Sequence, residues 1–259
     1  MGLLEGRKAL IFGVANDHSI AWGIAQALHA EGAMVGFSSI ESLIDRRVRP
    51  LAESIGSTFV EPCDVSVDAD IERVFAAWKE RHGDLDILVH AVAYAGKDEL
   101  SRPFVETSRA GFTLAMDVSV YSLVGVVRAA QPVLHRGSSV ITLTYHGAHK
   151  VTANYNVMGV AKAALESAVR YLAADLGPDG VRINAISAGP VRTLSAAGIA
   201  GFKRLYGSFD QVAPLRANIT IEDVGRSAVY LASDLSGAVT GEVHYVDGGF
   251  NIMSIVDAE

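Results

Sequence analysis

Residues 138–170 read SSVITLTYHGAHKVTANYNVMGVAKAALESAVR. A β-branched run from Val140 to Leu143 gives way to a polar loop and then to a helix rich in small residues, the pattern of a buried strand feeding a crossover helix. Tyr155 and Lys162 stand seven apart, close to two full turns, which predicts that both project from one face of that helix. Tyr145 sits ten residues before Tyr155, just past the strand. A phenol with its ordinary pKa of about 10 needs help to act as a donor near neutrality. A lysine on the same face can supply that help and can also grip a sugar hydroxyl. The ordinary alternative is that these are half-buried side chains reaching for solvent.

Upstream, Lys8 to Val14 (KALIFGV) reads as a buried strand and Ile20 to Ala30 as a helix whose small residues let it lie close to a sheet. The intervening GVANDHS lacks G-x-G-x-x-G: after Gly13 the next glycine is Gly23. Ser19 is placed to cap the helix, and the free N–H groups of such a terminus attract a pyrophosphate. Ala33 to Ser38 is the second expected strand, and Ile40-Glu41 follows it. An acidic residue there can meet the adenosine ribose, or it can simply open the next helix. Either way no cation stands ready for a 2′-phosphate until Arg46, which favours NADH over NADPH. Thr58 to Val60 is expected as a short strand, Asp70 to Arg81 as a helix and Leu85 to His90 as a fourth strand. Gly111 to Leu134 reads as one long helix, its outer face an oligomer contact.

Downstream, the main helix runs to Leu176 and Val181 to Ile186 is the next strand. Gly189 and Pro190 then break regular structure, and the small, poorly patterned segment that follows predicts a substrate-covering lid at about 191–210. Ile221 to Ser233 is an amphipathic helix and Glu242 to Val246 a last strand. Seven strands alternating with helices imply a single α/β domain over 1–259, a Rossmann-like doubly wound parallel sheet with helices on both faces.

Composition excludes several classes. The chain has 259 residues, half of them apolar, and a net charge of −7, with no basic run beyond Arg46-Arg47-Val48-Arg49, so a nucleic-acid surface is not expected. Its single cysteine, Cys63, forms no internal disulfide, and the eight histidines show no zinc spacing. The first residues lack a signal-peptide core, Gly6 stands where a myristoylation site needs Ser or Thr, and no apolar run of bilayer length is apparent. The expectation is a soluble cytoplasmic protein that binds neither metal nor membrane.

The segments NYNVMGVAKAALES and GPDGVRINAISAGPVRTLSAAGI resemble the enoyl-[acyl-carrier-protein] reductases of bacterial type II fatty-acid synthesis, a divergent branch of the short-chain dehydrogenase/reductase superfamily. The resemblance extends from the first strand to Asp247-Gly248-Gly249. Ordinary members of the superfamily use Tyr-x-x-x-Lys, but four residues before Lys162 stands Met158. Tyr-x6-Lys with a second tyrosine ten residues upstream is the enoyl-reductase arrangement, and Gly13-x5-Ser19-x-Ala21 resembles that family's phosphate turn.

The resemblance implies NADH-dependent reduction of the trans-2 double bond of an enoyl thioester carried on acyl carrier protein, by a homotetramer. It implies Tyr145, Tyr155 and Lys162 as the catalytic set, with Ala95 joining the two tyrosines at the substrate. Cofactor contacts would come from Gly13, Ser19 and Ile20 at the pyrophosphate, and from Ile40, Asp64 and Val65 at the adenosine. Val92, Lys162 and the run Val191, Arg192, Thr193, Leu194 and Ser195 would meet the nicotinamide end. Lys203 and Arg204 match basic carrier-facing positions, although Ala200 stands where another base is usual. A second departure lies after His90: Ala91-Val92-Ala93 replaces the family's serine, bulky apolar residue and glycine, so a methyl faces the place where phenolic diphenyl-ether inhibitors press. Two rival readings remain at this stage, another short-chain reductase acting on a carbonyl or hydroxyl, and a catalytically idle dinucleotide-binding regulator.

Overall fold

A computed structural model describes residues 2–197 and 202–254, apart from the side chains of Ser195, Ala197 and residues 202–205. Seven strands form one sheet: β1 (Lys8–Phe12), β2 (Met34–Ser39), β3 (Val60–Pro62), β4 (Leu85–His90), β5 (Leu134–Thr144), β6 (Arg182–Ala188) and β7 (Val243–Val246). Their order is β3-β2-β1-β4-β5-β6-β7 and every pairing is parallel. The central strands are buried on both faces, as a parallel sheet covered by crossover helices requires. The chain reverses its direction of winding between β1 and β4, and ligands of such sheets collect at the carboxyl ends beside that reversal.

Two apolar layers flank the sheet. On one face α1 (Ile20–Ala30) packs against the helix Ile221–Ala232. Their contact is close because both helices present glycine: a Cβ at Gly23 would stand 2.5 Å from the Ile221 carbonyl oxygen, and one at Gly225 would stand 2.5 Å from that of Gly23. On the other face lie α2 (Asp68–His82), α3 (Arg109–Ala130) and α4 (Val157–Leu176), which bury Trp78, Leu123 and Leu165 against β1, β4 and β5.

Most expected boundaries shift by a residue or two, and two differences have clear causes. β1 stops at Phe12 because Gly13 turns into the left-handed region at φ 97°. The third helix ends at Ala130 instead of Leu134, since Pro132 cannot continue it, and Leu134 already opens β5. That helix also widens into a π-helical turn at Asp117–Tyr121. Contrary to the expectation, α3 is long and apolar enough by length and composition to cross a bilayer, with 22 residues; half of its most apolar window is buried in this fold. The supposed lid is partly regular, with helix over Leu194–Ala197 and Phe202–Val212.

Candidate active site

The carboxyl ends of β1, β4, β5 and β6 bring most of the expected residues together. Tyr145 follows β5 directly, and a turn at His146–Ala148 leads to the loop that carries Tyr155. Here the sequence reading needs correction, because α4 begins at Val157 and Tyr155 precedes it. Asn154 and Asn156 occupy positive φ, at 61° and 43°, so the chain cannot be helical through Tyr155. Tyr155 is therefore positioned by a turn that precedes the helix bearing Lys162, not by shared helical phase. The Tyr155 ring lies on Gly147, where a Cβ would come within 2.5 Å of its edge. It meets the Tyr145 ring edge to face.

Tyr155 is buried, 8% exposed, and burial pushes its phenol above the ordinary range, with Tyr145 adding to the effect. The anticipated electrostatic help from Lys162 does not govern it. Tyr155 is thus held as a neutral O–H donor. Tyr145 is also shifted upward by burial, opposed by a hydrogen bond with Thr152. Lys162 is buried, and its Nζ donates to the Leu143 carbonyl at 2.8 Å. Burial lowers its pKa to about 8 while Glu166 opposes the shift. His90 fills the role of a satisfied strand histidine: its ring contacts the Thr142 and Ser122 hydroxyls at 3.1 and 2.8 Å, and burial, aided by the Lys162 charge, drives its pKa to about 3. Cys63 is buried and its thiol pushed up to about 12, mainly by burial, which leaves it without thiolate reactivity.

Gly13 and the start of α1 form a cradle that fits a pyrophosphate. A Cβ at Gly13 would stand 2.2 Å from the Ala91 carbonyl oxygen and 3.2 Å from Val92 Cγ2, so only glycine lets the two strand ends approach. Ser19 occupies the N-cap position without capping: its hydroxyl donates to the Asn16 carbonyl at 2.6 Å. The expected side-chain cap is absent because that hydroxyl closes the preceding turn, so the Ser19 side chain leaves the first N–H groups of α1 uncapped.

At the adenosine end Ile40 is exposed, Glu41 opens the next helical turn, and Arg49 pairs with Asp45. Asp64 accepts from the Ser66 N–H and hydroxyl at 2.9 and 2.7 Å, and the half-buried Val65 lies beside it. On the lid side Val191 is buried, Thr193 accepts from the Ala196 N–H at 3.1 Å, and Leu194 is exposed. The Arg192 guanidinium lies 4.3 Å above the Tyr206 ring centre. The side chains of Ser195, Lys203 and Arg204 lie outside the described residues.

Several contributors escape a reading of sequence alone. Ser119, on the π-helical turn, accepts from the Tyr94 N–H at 3.0 Å and donates to the Tyr94 carbonyl at 3.1 Å, fixing the loop that carries Ala93 and Ala95. Asn156 Nδ2 donates to the carbonyls of Arg102 at 2.8 Å and Glu99 at 3.4 Å, joining the Tyr155 turn to the segment beyond that loop. Glu166 is buried one turn after Lys162, with Thr144 and His149 on its two oxygens. The only sequence signal for Glu166 was its spacing of four from a suspected lysine.

The doubly wound sheet, the glycine cradle at the winding reversal and the tyrosine and lysine beyond β5 define a dinucleotide-binding oxidoreductase of the short-chain dehydrogenase/reductase type. Residues 13–251 match the enoyl-(acyl carrier protein) reductase family, and the chain belongs to it. It is 52% identical to the enoyl-[acyl-carrier-protein] reductase [NADH] of Aquifex aeolicus, with all of this chain and 96% of the relative's length aligned. The crystal structure of the Aquifex enzyme superposes with a TM-score of 0.96, covering 98% of this chain and 100% of that one. A Bacillus cereus enoyl-acyl carrier protein reductase, 46% identical, was solved with NADP+ and an indole naphthyridinone and gives a TM-score of 0.96 over 98% of this chain and 100% of its own. An Anaplasma phagocytophilum relative solved with NAD, also 46% identical, gives 0.95 over 99% of this chain and 98% of its own.

Proposed function

We propose that this chain reduces the trans-2 double bond of enoyl-[acyl-carrier-protein] thioesters with NADH, the last reductive step of fatty-acid elongation. The observation that carries the reading is a buried, protonated Tyr155 packed on Tyr145 beside a cradle that admits a dinucleotide. Bound NADH supplies the hydride, which goes to the β-carbon of the enoyl group.

Negative charge then collects on the thioester oxygen as an enolate, which takes a proton from water at the α-carbon to give the saturated thioester. A donor aimed at that oxygen is more useful than a base, and Tyr155, held neutral by burial, is such a donor. Lys162 holds the nicotinamide ribose hydroxyls, and Tyr145 with Ala95 lines the acyl pocket. Gly13, Ser19 and Ile20 receive the pyrophosphate, Ile40, Asp64 and Val65 the adenosine end, and Val92 with Val191 to Ser195 the nicotinamide. The segment at about 191–210 covers the acyl chain when cofactor is bound.

The enzyme acts in the cytoplasm as a homotetramer, with the face of α3 where Leu114 and Tyr121 are exposed as one contact. Lys203 and Arg204 meet the acidic carrier. Charge reversal at both is expected to raise KM for carrier-bound substrate and to spare a short coenzyme A thioester.

The decisive experiment follows NADH absorbance with enoyl thioesters and with 3-ketoacyl thioesters of equal length. Turnover confined to the enoyl series supports the proposal. Turnover of the keto series alone would replace it with carbonyl reduction.

A further inference from the structure

Glu166 is a buried carboxylate that the mechanism above leaves without a task. It is 2% exposed and lies one turn beyond Lys162 on α4. Its Oε1 accepts from the Thr144 hydroxyl at 2.7 Å, and its Oε2 lies 2.6 Å from His149 Nε2. Thr144 is the last residue of β5, and Leu143, just before it, supplies the carbonyl that holds the Lys162 ammonium. Two successive strand residues therefore seat the lysine and the carboxylate together.

We propose that Glu166 is the positioning residue for Lys162: its clamped carboxylate keeps that lysine charged and seated for the cofactor's ribose. The inference rests on the reading of Lys162 as the ribose-binding residue. A buried ammonium is stable only beside a countercharge, and a neutral carbonyl such as Leu143's provides none. The other titratable groups around Lys162 cannot provide it. His90 is neutral, and the Tyr145 and Tyr155 phenols stay protonated. Among the described residues, Glu166, one turn along α4, is the group that opposes the effect of burial on Lys162.

From the opposite side Glu166 faces His149 on the loop after β5 and Tyr245 on β7. His146, Lys150 and Asp247 stand one step further out. Its two oxygens are thereby held by Thr144 and His149, which fixes the carboxylate in place one turn from Lys162.

The test measures the dissociation constant of NADH by fluorescence from about pH 6 to about pH 10 in the wild type, E166Q, E166D, K162R, K162R/E166Q and K162A, with thermal unfolding as the check on folding. In the wild type, affinity is expected to fall as pH rises through the Lys162 value of about 8. In E166Q that fall should begin about one pH unit or more lower, with affinity near wild type at about pH 6. E166D, which draws the charge back by one methylene, should lie between them and gives the readout if E166Q does not fold.

K162R should bind NADH without an alkaline fall in this range, and adding E166Q to it should move nothing. Coincident pH profiles for wild type, E166Q and E166D, or a loss in E166Q of equal size at every pH, would overturn the proposal. A wild type with no alkaline fall, together with Lys162→Ala that binds NADH normally, would instead remove the ribose reading on which it stands.

Discussion

The rings of Tyr145 and Tyr155 meet edge to face, their centroids 4.9 Å apart and their planes at 66°. Phenylalanine at position 155 keeps that contact and the packing on Gly147 while removing only the donor. Tyr155→Phe is therefore expected to lower kcat by about 10² to 10³, roughly 3 to 4 kcal/mol of transition-state stabilisation, with little change in NADH affinity or Tm. Tyr145→Phe, which loses only the bond with Thr152, should act mainly on KM for the thioester. Steady-state kinetics on the two variants separate these roles, and near-normal turnover in Tyr155→Phe would end the assignment.

Gly13 meets two demands at once, a positive φ and the close approach of a neighbouring strand's backbone. It sits at φ 97°, and an added Cβ would stand 2.2 Å from the Ala91 carbonyl oxygen, whereas Gly56, at φ 71°, has open space around it. Gly56→Ala should cost about 1 kcal/mol of backbone strain and leave NADH binding unchanged. Gly13→Ala should cost more and weaken NADH by about tenfold or beyond, because β1 and β4 must part at the cradle. Paired unfolding and binding measurements distinguish strain from clash, and equal NADH affinity in the two variants would show that the cradle is not the pyrophosphate site.

The ribose end offers a change of cofactor preference. Ile40 is 54% exposed at the end of β2, and its neighbour Glu41 carries the wrong sign for a 2′-phosphate. Ile40→Arg should raise kcat/KM for NADPH relative to NADH by about tenfold, the worth of one charge-assisted contact. An unchanged ratio would place the adenosine elsewhere.

Ala93 is exposed on the loop that Ser119 fixes through Tyr94. The family resemblance implies that its methyl takes the place of the glycine on which phenolic diphenyl-ether inhibitors press. A methyl added to a filled pocket costs about 1 to 3 kcal/mol, so inhibition should be weak with enoyl reduction intact, and Ala93→Gly should restore it. Inhibition constants measured with saturating oxidised cofactor decide the point: equal values for the two forms would mean that the methyl faces away.

The alternation of apolar runs with helical segments made the strand count readable, and the right-handed crossover rule made the sheet layout readable from it. The end of α3 was readable too, from Pro132, but the apolar pattern running on to Leu134 masked it. What spacing could not convey was the backbone at Asn154 and Asn156. Left-handed asparagines interrupt a helix that the residue pattern alone would extend, so the spacing placed Tyr155 on a helix that begins only at Val157. Glu166 and Ser119 were unreadable for a different cause: their importance lies in partners 22 and 25 residues away in the chain, Thr144 and Tyr94.

The amide of Asn156 links the tyrosine turn to a segment 54 residues earlier, at Arg102. One side-chain amide thus ties together two loops that follow separate strands. In a mutational landscape of this enzyme, changes around 97–102 and around 154–156 should be epistatic, with double-mutant energies departing from the sum of the singles by about 0.5 kcal/mol or more, while equally spaced pairs without such a link add. Drift in either loop is therefore constrained by the other, so this region of the chain is expected to diversify by correlated replacement and not one position at a time.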